Sequence, residues 1–138
     1  MMQIPHGATQ DVDFMFTKLV VRDLQRADNF YKAAFGLVEM HRLDAQIMGR
    51  PVSEIVYQPT YQGGPLFILA HFPDDTGVNS NEMMLGFAAT DLEACVRRVE
   101  EAGGAVLDYP KALPEGVPPH AFVKDPEGHV VQLSQRMG

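Results

Sequence analysis

Phe14-Met15-Phe16-Thr17-Lys18-Leu19-Val20-Val21 runs through Arg22 into Asp23-Leu24 and a helical pattern that stops at Gly36. The same order of events returns at Glu82-Met83-Met84-Leu85-Gly86-Phe87-Ala88-Ala89, which leads into Asp91-Leu92 and a helical pattern stopping near Gly104. The first of these stretches is rich in the aromatic and β-branched residues that favour an extended chain. Each Asp sits where an N-cap belongs. After the first, Leu24, Ala27, Phe30, Tyr31 and Ala34 recur at helical spacing; after the second, Leu92, Cys95, Val96, Val99 and Ala102 make one apolar stripe, with Arg97, Arg98, Glu100 and Glu101 on the other faces. One supersecondary unit is used twice. Two copies that each bury part of their surface are expected to enclose a site at their seam.

Working outward, residues 37–47, 52–57 and 65–72 read as three further strands of the first copy, separated by Met48-Gly49-Arg50-Pro51 and by Gln58-Pro59-Thr60-Tyr61-Gln62-Gly63-Gly64. Residues 73–81 are polar and turn-rich, as a surface joint between copies should be. The second copy continues with a strand at 105–109 and a proline-bearing loop at 110–119, long enough to serve as a lid or to be a plain surface loop. Strands at 121–124 and 129–135 then flank the turn Asp125-Pro126-Glu127-Gly128. The expected architecture is α+β, a single domain over 1–138 made of βαβββ modules at 14–72 and 82–136.

The 138 residues suffice for one domain that needs no metal or disulfide to fold. No apolar run approaches the ~20 residues of a bilayer span, and the start of the chain lacks the basic and apolar regions of a signal peptide. The single cysteine, Cys95, closes no internal disulfide, and its place on the apolar stripe makes it a small buried hydrophobe. These features set the expectation of a cytoplasmic protein. A net charge of −7 without a basic stripe disfavours nucleic acid and anionic membranes as partners. Small molecules and other proteins remain as partners.

Several motifs in this order carry a family resemblance. Val21-Arg22-Asp23-Leu24, Asn29-Phe30-Tyr31 with Phe35-Gly36-Leu37, Ala89-Thr90-Asp91-Leu92, and Phe122-Val123-Lys124-Asp125-Pro126-Glu127-Gly128-His129 together cover almost all of the chain beyond Asp13. The set resembles the vicinal oxygen chelate superfamily of glyoxalase I, extradiol dioxygenases, fosfomycin-resistance enzymes and bleomycin-resistance binding proteins. That resemblance implies paired βαβββ modules forming a cup-shaped mixed sheet with the helices outside, commonly as homodimers. It also implies a divalent metal held by one ligand from the first and one from the last strand of each half.

Here the positions matching those ligands are Phe16, Ile68, Met84 and Gln132. Three are apolar and one is a neutral amide, so the expectation is no metal and no cofactor. Alternate strand residues share a face. Phe14, Phe16 and Lys18 therefore line the expected site from the first strand, Ile68 from the fourth, Met84 and Gly86 from the fifth, and Gln132 and Ser134 from the last. Phe16, Ile68 and Met84 either line an open cup or fill it as core. Lys18 pairs with Glu82, snorkels to the rim, or meets a ligand oxyanion. His71 and His120 are rim candidates for acid–base work, whereas His41 and His129 read as solvated. Tyr57 and Tyr109 are further hydrogen-bonding candidates.

Two function classes follow. One is a metal-free protein of the bleomycin-resistance kind that binds a small aromatic or polycyclic molecule in an apolar cup. The other is an enzyme of the superfamily: a metal-independent lyase or isomerase using Lys18, His71 or His120, or a glyoxalase-like lyase with its metal held elsewhere.

Overall fold

A computed structural model describes residues 11, 15–47, 49–74, 83–113, 115 and 117–136. The chain divides into two compact units. The first holds four strands, β1 (Phe16–Val20), β2 (Glu39–Ile47), β3 (Arg50–Tyr57) and β4 (Leu66–His71), in the order β1-β4-β3-β2. β1 runs parallel to β4, and β3 is antiparallel to both of its neighbours. Parallel neighbours require a long crossover, and the chain between β1 and β4 supplies it. Leu19, Ile55, Tyr57 and Leu69 are buried in this unit.

The second unit contains β5 (Leu85–Ala89), α2 (Leu92–Glu101), β6 (Ala105–Asp108), β7 (His120–Lys124) and β8 (Val130–Gln135), in the sheet order β5-β8-β7-β6. It also contains residues 25–35 of helix α1 (Leu24–Phe35) and Gly36 after it, although α1 belongs to the first repeat in sequence. The helix's aromatic residues account for this. Phe35 stacks on Phe87 with ring centroids 4.4 Å apart, and Tyr31 donates its hydroxyl to Asp125 Oδ2 at 3.0 Å. Arg98 Nε donates to the carbonyl of Ala34 at 3.3 Å. Gly104 admits the Phe30 ring, because a Cβ there would lie 2.9 Å from that ring and 2.5 Å from the Lys124 carbonyl oxygen. Gly36 ends α1 at φ 69°, a left-handed conformation that suits glycine. Asp91 caps α2 by accepting from Ala94 N at 3.1 Å.

The turn between β7 and β8 corrects one expectation. His129 is buried at 7% exposure, not solvated. Asp125 Oδ2 lies 2.8 Å from His129 Nδ1, while Asp125 Oδ1 accepts from the backbone N–H groups of Glu127 and His129, both at 2.9 Å. Burial alone would push the Asp125 carboxyl up. The hydrogen bonds and charge of His129 and the bond from Tyr31 outweigh that and hold it below its ordinary value. The turn is built around one carboxylate, and His129 is part of its shell.

The two sheets share a ladder register. In the first, Lys18 lies beside Ile68; in the second, Gly86 lies beside Gln132. Phe16 and Met84 each stand two positions before the β1 or β5 member of that pair. Ile68 and Gln132 thus occupy matching places in their own sheets, which local sequence around Ile68 left open.

Candidate functional site

On the first sheet, Phe16, Lys18 and Val20 project to one side of β1, and Phe16 and Val20 are both exposed. The ladders run Lys18–Ile68–Val56 and Val20–Ala70–Glu54 along that same side. Ile68 is 5% exposed and forms floor beneath its neighbours. Lys18 Nζ lies 2.6 Å from Glu54 Oε2, with side-chain exposures of 30% and 7%. It also lies 5.4 Å from the centroid of the Phe16 ring, a cation–π distance. The lysine's partner is therefore Glu54. Glu82, the partner weighed from sequence, and Phe14 lie outside the described residues.

Glu54 is the residue that sequence reasoning missed. Its signal was present: Val52, Glu54 and Val56 alternate with Ser53, Ile55 and Tyr57, so a carboxylate shares a strand face with two valines. A lone acidic residue on an apolar face needs a cation, and Lys18 supplies it.

On the second sheet, Met84 is exposed just ahead of β5. The open face carries two rows, Gly86–Gln132–Phe122–Asp108 and Ala88–Ser134–His120. Val131, Leu133, Ala121 and Val123 alternate with these residues and are buried on the other side. A Cβ on Gly86 would have nothing within 4 Å. Gly86 and Ala88 thus leave open space along the edge strand β5, beside the Gln132 amide, whose Nε2 donates to Ser134 Oγ at 3.4 Å. Phe122 meets the His120 ring edge-on at 5.4 Å.

Both candidate histidines are held by backbone carbonyls. His120 Nδ1 is 3.0 Å from Pro118 O, and His71 Nδ1 is 3.0 Å from Val21 O. A carbonyl oxygen only accepts, so each Nδ1 carries the hydrogen and, in the neutral ring, Nε2 is the acceptor. Tyr57 is buried and stacked on Phe67, which makes it core. Tyr109 lies after β6, and partial burial raises its phenol. Cys95 is buried, and desolvation pushes its thiol up, away from nucleophilic use. Positions 114 and 116 of the proline-bearing loop lie outside the described residues, so a lid there has no structural account.

The metal positions can be tested sheet by sheet. Phe16 and Ile68 offer no oxygen or nitrogen donor. Met84 and Gln132 offer one thioether and one amide already bonded to Ser134. Hard divalent cations take six or more oxygen ligands, and zinc takes four nitrogen, sulfur or oxygen ligands. These residues do not fit the group. Among the described residues, no three His, Cys, Asp or Glu side chains come together as a metal cluster.

The sequence profile of the glyoxalase-like domain matches residues 15–134. The chain belongs to that family. A lactoylglutathione lyase from Pseudomonas aeruginosa is 28% identical to it over 155 residues, covering 95% of this chain and 86% of the relative. A glyoxalase family protein from Bacillus cereus superposes with a TM-score of 0.78 at 15% identity, over 97% of this chain and 100% of that one. TnmS3, an antibiotic binding protein from Streptomyces sp. CB03234, superposes with a TM-score of 0.66 at 22% identity, over 96% and 100%. These structures show that the α+β fold of this glyoxalase-like chain is shared with them. No helix among its described residues is long and apolar enough to cross a membrane.

Proposed function

We propose that this glyoxalase-like protein binds a small aromatic or polycyclic organic molecule and does so without a divalent metal. The observation that carries the reading is the face of the second sheet, where Gly86 and Ala88 leave space beside Gln132, Ser134 and the Phe122 ring. An open strip of small residues with a few placed polar groups beside it suits a flat organic ligand. Met84, exposed just ahead of β5, adds adaptable apolar contact on the same unit. The resemblance to an antibiotic binding protein supports a small-molecule ligand. The lactoylglutathione lyase relative favours an enzyme reading, but the metal positions lack the donors that chemistry would need.

Two experiments test this. Protein purified without added metal should carry well under one divalent ion per chain by elemental analysis; stoichiometric nickel, zinc, manganese or iron would overturn the metal-free reading. Gly86→Leu should cover the open strip along β5 and weaken binding of 2-naphthol by about tenfold, ~1.4 kcal/mol. The melting temperature without probe should move little, because a side chain at Gly86 meets open space. Unchanged affinity for the probe in this variant would remove that strip from the site.

A further inference from the structure

The polar groups on the second sheet have a direction. Gln132 Nε2 donates to Ser134 Oγ at 3.4 Å, so the serine oxygen is already an acceptor and its own O–H is available to donate. Ser134 and His120 are direct partners across the β7–β8 ladder, which puts their Cβ atoms roughly 4.5–5.5 Å apart on one face. The His120 ring gives its Nδ1 hydrogen to Pro118 O at 3.0 Å, leaving Nε2 as a hydrogen-bond acceptor. An available donor and an available acceptor therefore stand side by side, in the same ladder row as Ala88 and next to the open space at Gly86.

A ligand hydroxyl satisfies both with a single oxygen. A hydroxyl accepts with its oxygen and donates with its hydrogen, whereas a carbonyl or ether oxygen only accepts and would leave Nε2 unmet. We infer that Ser134 and His120 read a phenolic hydroxyl on an aromatic ligand. The chain then runs from the Gln132 amide to the Ser134 hydroxyl, to the ligand hydroxyl, to His120 Nε2. Each bond in such a chain polarises the next. The ring bearing the hydroxyl lies over Gly86 and Ala88, with Phe122 as a wall. This assignment rests on the small-molecule reading above and adds the ligand's chemical class. A site arranged to hydrogen-bond a hydroxyl discriminates against the analogue lacking the proton, because its own polar groups then go unpaired.

The test compares 2-naphthol with 2-methoxynaphthalene, which keeps the ring system and the oxygen but has no proton to donate. Fluorescence titration of the wild-type chain at neutral pH should give at least a tenfold lower Kd for 2-naphthol. His120→Phe should bring the preference below about threefold, whereas Ser134→Ala, which removes a donor that both probe oxygens accept from, should weaken both probes by similar factors and keep the preference. If His120→Phe lowers the melting temperature, His120→Gln is the companion variant, and its amide oxygen should keep an intermediate preference. Equal wild-type affinity for the two probes would overturn the hydroxyl assignment while leaving the aromatic-binding reading in place. A full preference that persists in His120→Phe would also overturn it. If neither probe binds, both readings fall.

Discussion

Asp125→Ala is expected to cost about 3–5 kcal/mol, the range for breaking a buried charged network. In a domain of this size that lowers the melting temperature by roughly 10–20 °C. The carboxylate accepts from the Tyr31 hydroxyl and two backbone N–H groups and pairs with His129. Hydrogen bonds to a charged group contribute about 1.5–3 kcal/mol each, and they are not additive. Removing the acceptor strips one partner from two buried side chains and two from the turn's backbone. Thermal unfolding followed by circular dichroism is the check. A shift under about 3 °C would mean that water or rearrangement replaces the network.

The same carboxylate sets an acid limb to stability. Its folded pKa is held below the ordinary 3.8, so the folded state binds that proton less readily than the unfolded chain does. The stabilisation is therefore complete above the unfolded value and is lost as pH falls through the folded one. Wild type should lose more stability than Asp125→Asn between about pH 5 and pH 2. Parallel pH profiles for the two proteins would remove Asp125 from the limb.

The second large effect is an asymmetry at the Lys18–Glu54 pair. Lys18→Met leaves the carboxylate of Glu54, 7% exposed, without its cation 2.6 Å away. Breaking a buried pair from one side costs about 3–5 kcal/mol. Because the Lys18 side chain is 30% exposed, water can reach the vacated side, and about 2–3 kcal/mol is expected. Glu54→Leu leaves a lysine that can extend into solvent, so under about 1 kcal/mol is expected. The double variant Lys18→Met, Glu54→Leu should return close to wild type, since apolar pairs replace buried ion pairs at little net cost. Urea unfolding of the four proteins closes the cycle. Equal losses in the two single variants would mean that the burial of Glu54 does not govern this pair.

Much of the fold was legible because its signals are local. Strand β1 is written in Phe16, Thr17, Leu19 and Val20, and both helices in apolar spacing closed by glycine. Alternation along β8 also placed Gln132 and Ser134 on one side, with Val131 and Leu133 on the other. The missing parts depend on partners distant in sequence. Glu54 was missed although alternation along β3 marks it, and only the register of β3 on β4 and β4 on β1 brings it to Lys18. His129 looked solvated because a hairpin position next to a turn usually is. Its burial follows from Asp125 turning back on its own turn and from Tyr31 arriving on a helix far earlier in the chain. The orienting carbonyls of His71 and His120 are backbone groups, which no side-chain pattern records.

The placement of α1 has a consequence for synthesis. Tyr31 and Asp125 are 94 positions apart, so the helix is complete long before the turn that receives its hydroxyl has left the ribosome. At translation rates of about 5–20 residues per second, the apolar stripe of Phe30, Tyr31 and Phe35 waits roughly 5–20 s for its partners. During that interval the nascent chain displays an aromatic surface that the finished fold covers. Its yield in the cell therefore depends on whatever shields that helix until the last hairpin is made.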